Sequence, residues 1–440
     1  MPGRMEFKLD LASSRPAGEA EARRGASRRL LVLGDFSGAP AAERKPLADR
    51  PTLRVDIDTL DAVMARLAPR LDLPGGEARF VQLDDFHPDA LHAQLPLFQA
   101  LREARAKPPA SGSDLLGSLL GGTATPAAAP AAASPAAGID AFVRSLVAPH
   151  IVPDTRAQDT AYRHAVDAAT AEQMRAVLHA PAFQALESAW RGVQWLLQQL
   201  ELDESLQLHL FDVTRDELLA DVVASQGRLA QTGLHRALAD RWRNVPGGEP
   251  WHLLAGLYAF GNGDTDIGLL AALGLVAQQA GGAFVAQAGD DLVAAPGAAW
   301  QALRASEAAP WIGLAAPRLL LRLPYGAKTD PVSAFAFEEL PAGAPPHDQL
   351  LWGNAALAVT LLAGRGGGSH QIDDLPAYTY TADGERTLLP CAEHLLGEQA
   401  GHGMIAAGLM PLASHRHRNA VTVMRLQSVA DPARPLANLA

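Results

Sequence analysis

Apolar residues recur at steps of three and four from Pro181 to Leu197. Phe183, Leu186, Trp190, Val193 and Leu197 therefore fall on one face of a helix. Pro181 suits its first turn, where a missing N–H breaks no hydrogen bond. Glu187 and Arg191 stand four apart in the favourable order on a different face. The pattern predicts a buried amphipathic helix.

Upstream, Met5, Phe7, Leu9 and Leu11 alternate with Glu6, Lys8 and Asp10, the period of a strand with one apolar face. A polar stretch from Ser13 to Arg29 follows and reads as a tether. A strand on a tether is placed to add to the edge of another sheet; the alternative is a frayed terminus. Leu30–Leu33 reads as a buried strand, and Leu53, Val55 and Ile57 as a second. Asp58 is expected to cap a helix carrying Leu60, Val63, Met64, Leu67 and Leu71. Phe80–Leu83 reads as a further strand, and Asp84–Asp89 opens one helix bearing Leu91, Leu95, Phe98 and Leu101. These elements predict a small α/β unit over residues 1–107.

Residues 108–138 are almost entirely Ala, Pro, Gly, Ser and Thr, which cannot build a core and predict a semi-extended linker. Within it, Leu115, Leu116, Leu119 and Leu120 form either a docking helix or the last turn of the preceding unit. From residue 139 the pattern is globular again. Helices are expected over 139–148, 157–179 and 181–199. A strand follows through Leu206, Leu208 and Leu210, and then a helix capped by Thr214 with Asp216 and Glu217 in its first turn. Strand 252–260, helix 266–280 and strand 283–288 imply a right-handed crossover between parallel strands. Further apolar segments lie at 318–323, at Leu350–Leu362 (read as helical) and at 421–426. The expected fold class is α/β: a small α/β unit, and a larger mixed α/β unit over 139–440.

Composition narrows the function. At 440 residues and 48% hydrophobic, the chain buries a sizeable core, and no apolar run reaches the roughly 18 residues of a membrane span. No membrane insertion and a cytoplasmic location are expected. The net charge of −11 is uneven: residues 1–107 carry 17 basic and 16 acidic side chains, so the excess acid lies downstream. That balance argues against a nucleic-acid partner, which needs clustered Lys and Arg. A single cysteine, Cys391, excludes an intramolecular disulfide.

Candidate chemistry is sparse. The Gly261–Asp266 loop (GNGDTD) lies where a dinucleotide fingerprint would, but Asp266 replaces the third glycine. Its carboxylate would repel a pyrophosphate, so Asp264, Thr265 or Asp266 is read as a helix cap. There is no phosphate-binding G-x-x-x-x-G-K-[ST] motif and no G-x-S-x-G. His402, His415 and His417 have no carboxylate at a spacing that completes a metal site, and no motif beside Cys391 would activate its thiol. No catalytic, cofactor or metal residue is assigned.

The wording of several segments carries more. Pro181–Gly192 (PAFQALESAWRG), Gly247–Pro250 (GGEP), Pro317–Gly326 (PRLLLRLPYG), Phe337–Glu339 (FEE) and Leu351–Ala356 (LWGNAA) resemble, in order and approximate separation, the large contractile-sheath subunit of bacterial type VI secretion systems (TssC-like). Leu30–Gly38 (LLVLGDFSG), Glu43–Pro46 (ERKP) and Asp84–Asp89 (DDFHPD) resemble the small subunit (TssB-like). In that family the two are separate chains forming a tight heterodimer. Here they are joined, and a covalent link replaces a bimolecular encounter with a high effective concentration.

The resemblance implies a non-enzymatic structural protein of the bacterial cytoplasm, assembling through inter-subunit strand exchange. Its implied partners are sheath subunits, the inner tube protein and the AAA+ unfoldase that disassembles sheaths. Large sheath subunits continue well beyond the point matching Val421–Leu426, in a region implied to supply shared strands. Open helical assembly needs each protomer both to give and to accept. The expectation is therefore a sheath component with an end-cap or accessory role, donating Met5, Phe7, Leu9 and Leu11. The alternative is a soluble adaptor that binds sheath subunits or the unfoldase, with Leu115, Leu116, Leu119 and Leu120 as bait.

Overall fold

A computed structural model of the chain describes residues 27–106, 155–340, 342–382, 384–416 and 418–438. The architecture is organised by one nine-stranded sheet. Its strands are β1 (Arg28–Gly34), β2 (Leu53–Val55), β5 (Leu206–Asp212), β6 (Leu253–Phe260), β7 (Ala283–Ala288), β8 (Ile312–Ala316), β11 (Gln371–Ile372), β14 (Met410–Ser414) and β15 (Val421–Val423). Their order across the sheet is β11-β15-β14-β8-β7-β6-β1-β5-β2. From β14 to β5 all neighbours are parallel, and antiparallel strands lie outside them on both edges.

The uninterrupted Leu30–Leu33 run has a simple cause. Leu30 and Val32 enter the core on one face of the sheet, while Leu31 and Leu33 enter the core on the other. A strand covered on both faces needs apolar residues at every position, which is the signature of a central parallel strand. Its partners come from far downstream. Val32 is in register with Leu210 of β5 and with Ala255 of β6. The segment before residue 107 thus supplies the middle of a sheet built mainly by the segment after 155.

One face is covered by helices α4 (Thr155–Leu178), α5 (Pro181–Gln199) and α8 (Ala356–Arg365), together with α1 (Leu60–Leu67), α2 (Pro88–Gln94) and α3 (Pro96–Ala106). The other is covered by α6 (Arg215–Ala224) and α7 (Asp264–Ala280), with Met404 of α9 (Glu398–Ala406) packing there. β3 (Arg70–Leu73) and β4 (Gly76–Arg79) form a separate hairpin, as do β12 (Thr379–Ala382) and β13 (Glu385–Leu388). β9 (Leu319–Leu320) pairs with β10 (Trp352–Gly353).

Several local expectations change. The leucine helix after Asp89 is two helices, because Pro96 disfavours helical backbone at Leu95, which is extended at φ −76°, ψ 131°. Asp58 is not the cap of α1. Thr59 occupies that position without a side-chain cap bond, and Asp56 organises the turn by accepting from the Asp58 and Thr59 N–H groups. Left-handed Ala68 ends α1, which moves Leu71 off the helix into β3. Phe80–Leu83 is not a strand: β4 stops at Arg79, and Phe80 instead stacks on Phe86 with ring centroids 4.3 Å apart. Leu350–Leu362 is only partly helical, since Trp352 and Gly353 pair with β9 before α8 begins at Ala356. At the Gly261–Asp266 loop the cap is Gly263. Asp266 lies in the first turn of α7, where it accepts from Gly261 N–H and pairs with Arg215.

Candidate functional site: the seam between the two segments

The helix α5 has the predicted face. Phe183, Leu186, Trp190, Val193 and Leu197 are all buried. Its Glu187–Arg191 face is buried as well: Glu187 is 0% exposed. A buried carboxylate needs a partner to stay ionised. Arg322 provides one, donating from Nε to Glu187 Oε1 at 2.8 Å and from Nη2 to Oε2 at 3.2 Å. The same guanidinium grips Glu339 through Nη1 at 2.7 Å and Nη2 at 3.1 Å. Arg191 adds a bond to Glu187 at 2.7 Å, and its Nη2 donates to the Tyr325 hydroxyl at 2.8 Å. Two cations and two anions balance. Burial works against the charge of Glu339, but Arg322 and further donors overcome it and hold the carboxyl down at about 2. Burial alone would favour the uncharged guanidine at Arg322, yet Glu187 and Glu339 hold it protonated, raising it well above the ordinary arginine value.

The members of this node come from three signatures: Glu187 and Arg191 from PAFQALESAWRG, Arg322 and Tyr325 from PRLLLRLPYG, Glu339 from FEE. The motifs converge on an ion cluster that ties α5 to the 317–340 segment. Their wording is explained by mutual neutralisation in the core.

A second node joins the two segments. Asp212, at the end of β5, accepts from Phe36 N at 2.8 Å, Ser37 N at 3.1 Å and Ser37 Oγ at 2.8 Å. Arg44 reaches Asp35 at 2.5 Å and lies 3.4 Å from both Asp212 and Glu217. Arg50 pairs with Glu217 and donates to Asp212 O at 2.9 Å. Burial opposes ionisation of Glu217, but Arg50, the Thr214 N–H and Arg44 hold its carboxyl below the usual range. Glu217 also completes the capping box with Thr214, so one side chain ends a helix and fastens the seam.

Apolar contacts complete it. Trp190 donates from Nε1 to Phe36 O at 2.9 Å, with the two rings edge-to-face at 5.3 Å. Phe183 packs against the stacked Phe80–Phe86 pair, at 6.0 and 5.7 Å. Asp89 accepts from the Ser333 and Ala334 N–H groups, and His87 stacks edge-on to Tyr325 at 4.9 Å. LGDFSG, ERKP and DDFHPD thus all face the larger segment.

A cavity of about 750 Å³ opens at the carboxyl ends of β1, β6 and β7, where ligands bind in many open α/β sheets. Much of its polar lining is already engaged. Arg215 pairs with Asp266, Arg318 with Glu393, and Asp35 with Arg44, while Ser188 and Asn354 bond to backbone carbonyls. His347, Glu393 and His394 bring three ligand-type atoms within 4.8 Å of one another. However, both oxygens of Glu393 hold Arg318, at 2.8 and 2.5 Å, so its charge is already neutralised. Cys391 is 1% exposed, and burial pushes its thiol up to about 11, away from nucleophilic use. His402 and His415 lie apart from this cluster, bonded to Glu398 O and Thr422. Met5, Phe7, Leu9, Leu11, Leu115, Leu116, Leu119 and Leu120 lie outside the described residues, as does His417.

The VipB family, described as EvpB-type tail sheath N-terminal domain, matches residues 161–298 and 294–430. The chain belongs to the type VI secretion sheath family. The VipA family of the same system matches residues 16–117. The sheath protein TssC1 of Pseudomonas aeruginosa is 29% identical over 305 residues, covering 61% of this chain and 61% of that protein. The sheath protein TssB1 of the same organism is 32% identical over 87 residues, 17% of this chain and 51% of that protein. The chain therefore spans about three-fifths of one relative and half of the other. This sheath-family chain joins small-subunit-like and large-subunit-like segments in one polypeptide. Among the described residues no helix is long and apolar enough to cross a membrane.

The patterning of α5, β1 and Thr214–Glu217 was readable in advance. The pairing of Arg322 with Glu187 and Glu339 was not, because nothing in periodicity links residues 135 positions apart. The one available signal is Arg322 interrupting the leucines of Leu319–Leu323.

Proposed function

We propose that this chain is a non-enzymatic structural component of a type VI secretion contractile sheath, acting as a covalently linked counterpart of the small–large heterodimer. The observation that carries the reading is the seating of β1, from the small-subunit-like segment, between β5 and β6 of the other. A strand in mid-sheet is a permanent structural member, and the linker over 108–138 keeps it in reach of its partner strands. The units of the chain are accordingly 1–107, 108–138 and 139–440, with the first two strands of the small unit completing the sheet of the large one.

Within that role we assign an end-cap or accessory position in the cytoplasm. Met5, Phe7, Leu9 and Leu11 are the strand it donates to sheath subunits. The supporting feature is the shortness of the edges on the receiving side. β2 has three residues and β11 has two, which offer few ladder bonds to an incoming strand. Negative-stain electron microscopy of the purified chain, alone and mixed with authentic small and large sheath subunits, tests this. Decoration of sheath ends, lost on deletion of Met5–Leu11, is expected. Long regular tubes formed by the chain alone would overturn the end-cap assignment, and no association with sheath subunits would overturn the sheath role itself.

A further inference from the structure

β1 is held on both sides. All seven of its residues are in register with β5, from Arg28 opposite Leu206 to Gly34 opposite Asp212. On the other side Leu30–Leu33 lie opposite Leu253–Gly256 of β6. Backbone bonds extend the pairing at both ends: Arg28 N donates to Ser205 O at 2.7 Å, His252 N to Arg29 O at 2.8 Å and Val213 N to Gly34 O at 2.8 Å. The seat that receives β1 belongs wholly to the large-subunit-like segment, and it takes one strand.

An empty seat would be costly. Leu208, Leu210, Leu253 and Ala255 are at most 1% exposed and share a core with Leu30 and Val32. Without the segment over 27–106, Asp212 would lose the Phe36 and Ser37 N–H groups and the Ser37 hydroxyl. Trp190 Nε1–H would lose the Phe36 carbonyl, and Glu217 would lose Arg44 and Arg50. Buried polar groups stripped of their partners are strongly destabilising, so the large segment is stable only with its seat filled. The chain's own strand has the advantage in filling it. A tether sets an effective concentration of about millimolar, and a separate competitor at micromolar concentration starts about a thousandfold behind. Once seated, a strand in mid-sheet leaves only when both ladders open, so later exchange is slow as well.

We propose that the chain fills this seat from its own polypeptide and thereby refuses a separate small sheath subunit, so that its contacts with a sheath are made through surfaces outside the seam. The proposal rests on the sheath reading and narrows it. A separate small subunit would need the β5 and β6 edges, Asp212 and Trp190, and all of these are engaged. Covalent joining therefore decides which partners the chain takes, and not only how fast the seam forms.

A fluorescently labelled authentic small sheath subunit, mixed in about tenfold excess with the full chain and separated by gel filtration, tests this. Label is expected on about one chain in a hundred, the thousandfold disadvantage set against the tenfold excess. Two further forms vacate the seat. Arg50→Met weakens the tethered segment and leaves the seat intact, so capture by that full chain is expected to rise at least about tenfold. Cutting at a protease site inserted within 108–138, then unfolding in urea and refolding with the same excess, removes the tether and is expected to raise capture at least as much; Arg50→Met serves if the cut chain does not refold. Near-stoichiometric capture by the native chain overturns the proposal and leaves the sheath reading standing, because the seat then accepts a small subunit. Capture by none of the three forms overturns both, because the refusal then has a cause other than a filled seat.

Discussion

Arg322 lies 2.8 Å from Glu187, a bond across 135 residues that fastens the central helix α5 to the 317–340 segment. Because Arg322 also holds Glu339, its removal leaves two buried carboxylates to share Arg191, which pairs with Glu187 alone. Breaking a buried pair on one side costs about 3–5 kcal/mol, since the remaining charge is left without compensation. Arg322→Met is expected to lower stability by at least that much in urea unfolding. The double change Arg322→Met, Glu339→Gln, which leaves Arg191 and Glu187 as a balanced pair, is expected to recover part of the loss. A double variant no more stable than Arg322→Met would show that shape, rather than charge balance, sets the cost.

Trp190 carries the seam from the other side of the same helix. Trp190→Phe removes the bond to Phe36 O and keeps most of the buried ring, so a loss of about 0.5–1.5 kcal/mol is expected. Trp190→Ala opens a cavity beside Phe36 and is expected to cost about 3–5 kcal/mol. Limited proteolysis within 108–138 followed by gel filtration reads the consequence. The two pieces are expected to stay together in the native protein and to separate more readily with Trp190→Ala.

Acid should act over two overlapping windows. Glu339 is held at about 2 against an ordinary value of 4.5, so its contribution is present above 4.5 and is lost as pH falls through that range toward 2. His209 is held at about 3 against 6.5, neutral in the fold and protonated when unfolded, so stability declines as pH falls from 6.5 toward 3. Urea midpoints measured from pH 7 to pH 3 are expected to fall in both windows. Glu339→Gln should flatten the lower one and His209→Phe the upper one. Equal slopes in the native chain and His209→Phe between pH 6.5 and 5 would contradict the assignment.

Cys391 gives a simple probe of the fold. With its thiol raised to about 11 and its sulfur covered, it should react with a thiol reagent at pH 8 at least about a hundredfold more slowly in the native chain than in urea. Rapid native labelling would show that the 375–392 region opens on its own.

Features that depend on local spacing can be read along the chain. The apolar face of α5, the continuous Leu30–Leu33 strand and the Thr214–Glu217 box all follow from residues within a few positions of one another. The family wording was legible for the same reason, as short strings with rare residues in order. Proline chemistry at Pro96 is equally local, and it breaks the helix that the leucine spacing alone would continue. The relationships that cross the chain arise in the folded arrangement. Continuous burial marks β1 as central, yet it names neither β5 nor β6 as a neighbour, since backbone ladders carry no address. Likewise Glu187 and Arg191 read as a solvent-compatible helical pair until Arg322 and Glu339 arrive from other elements. Charge neutralisation in a core is a property of the folded arrangement, and no periodicity in one dimension encodes it.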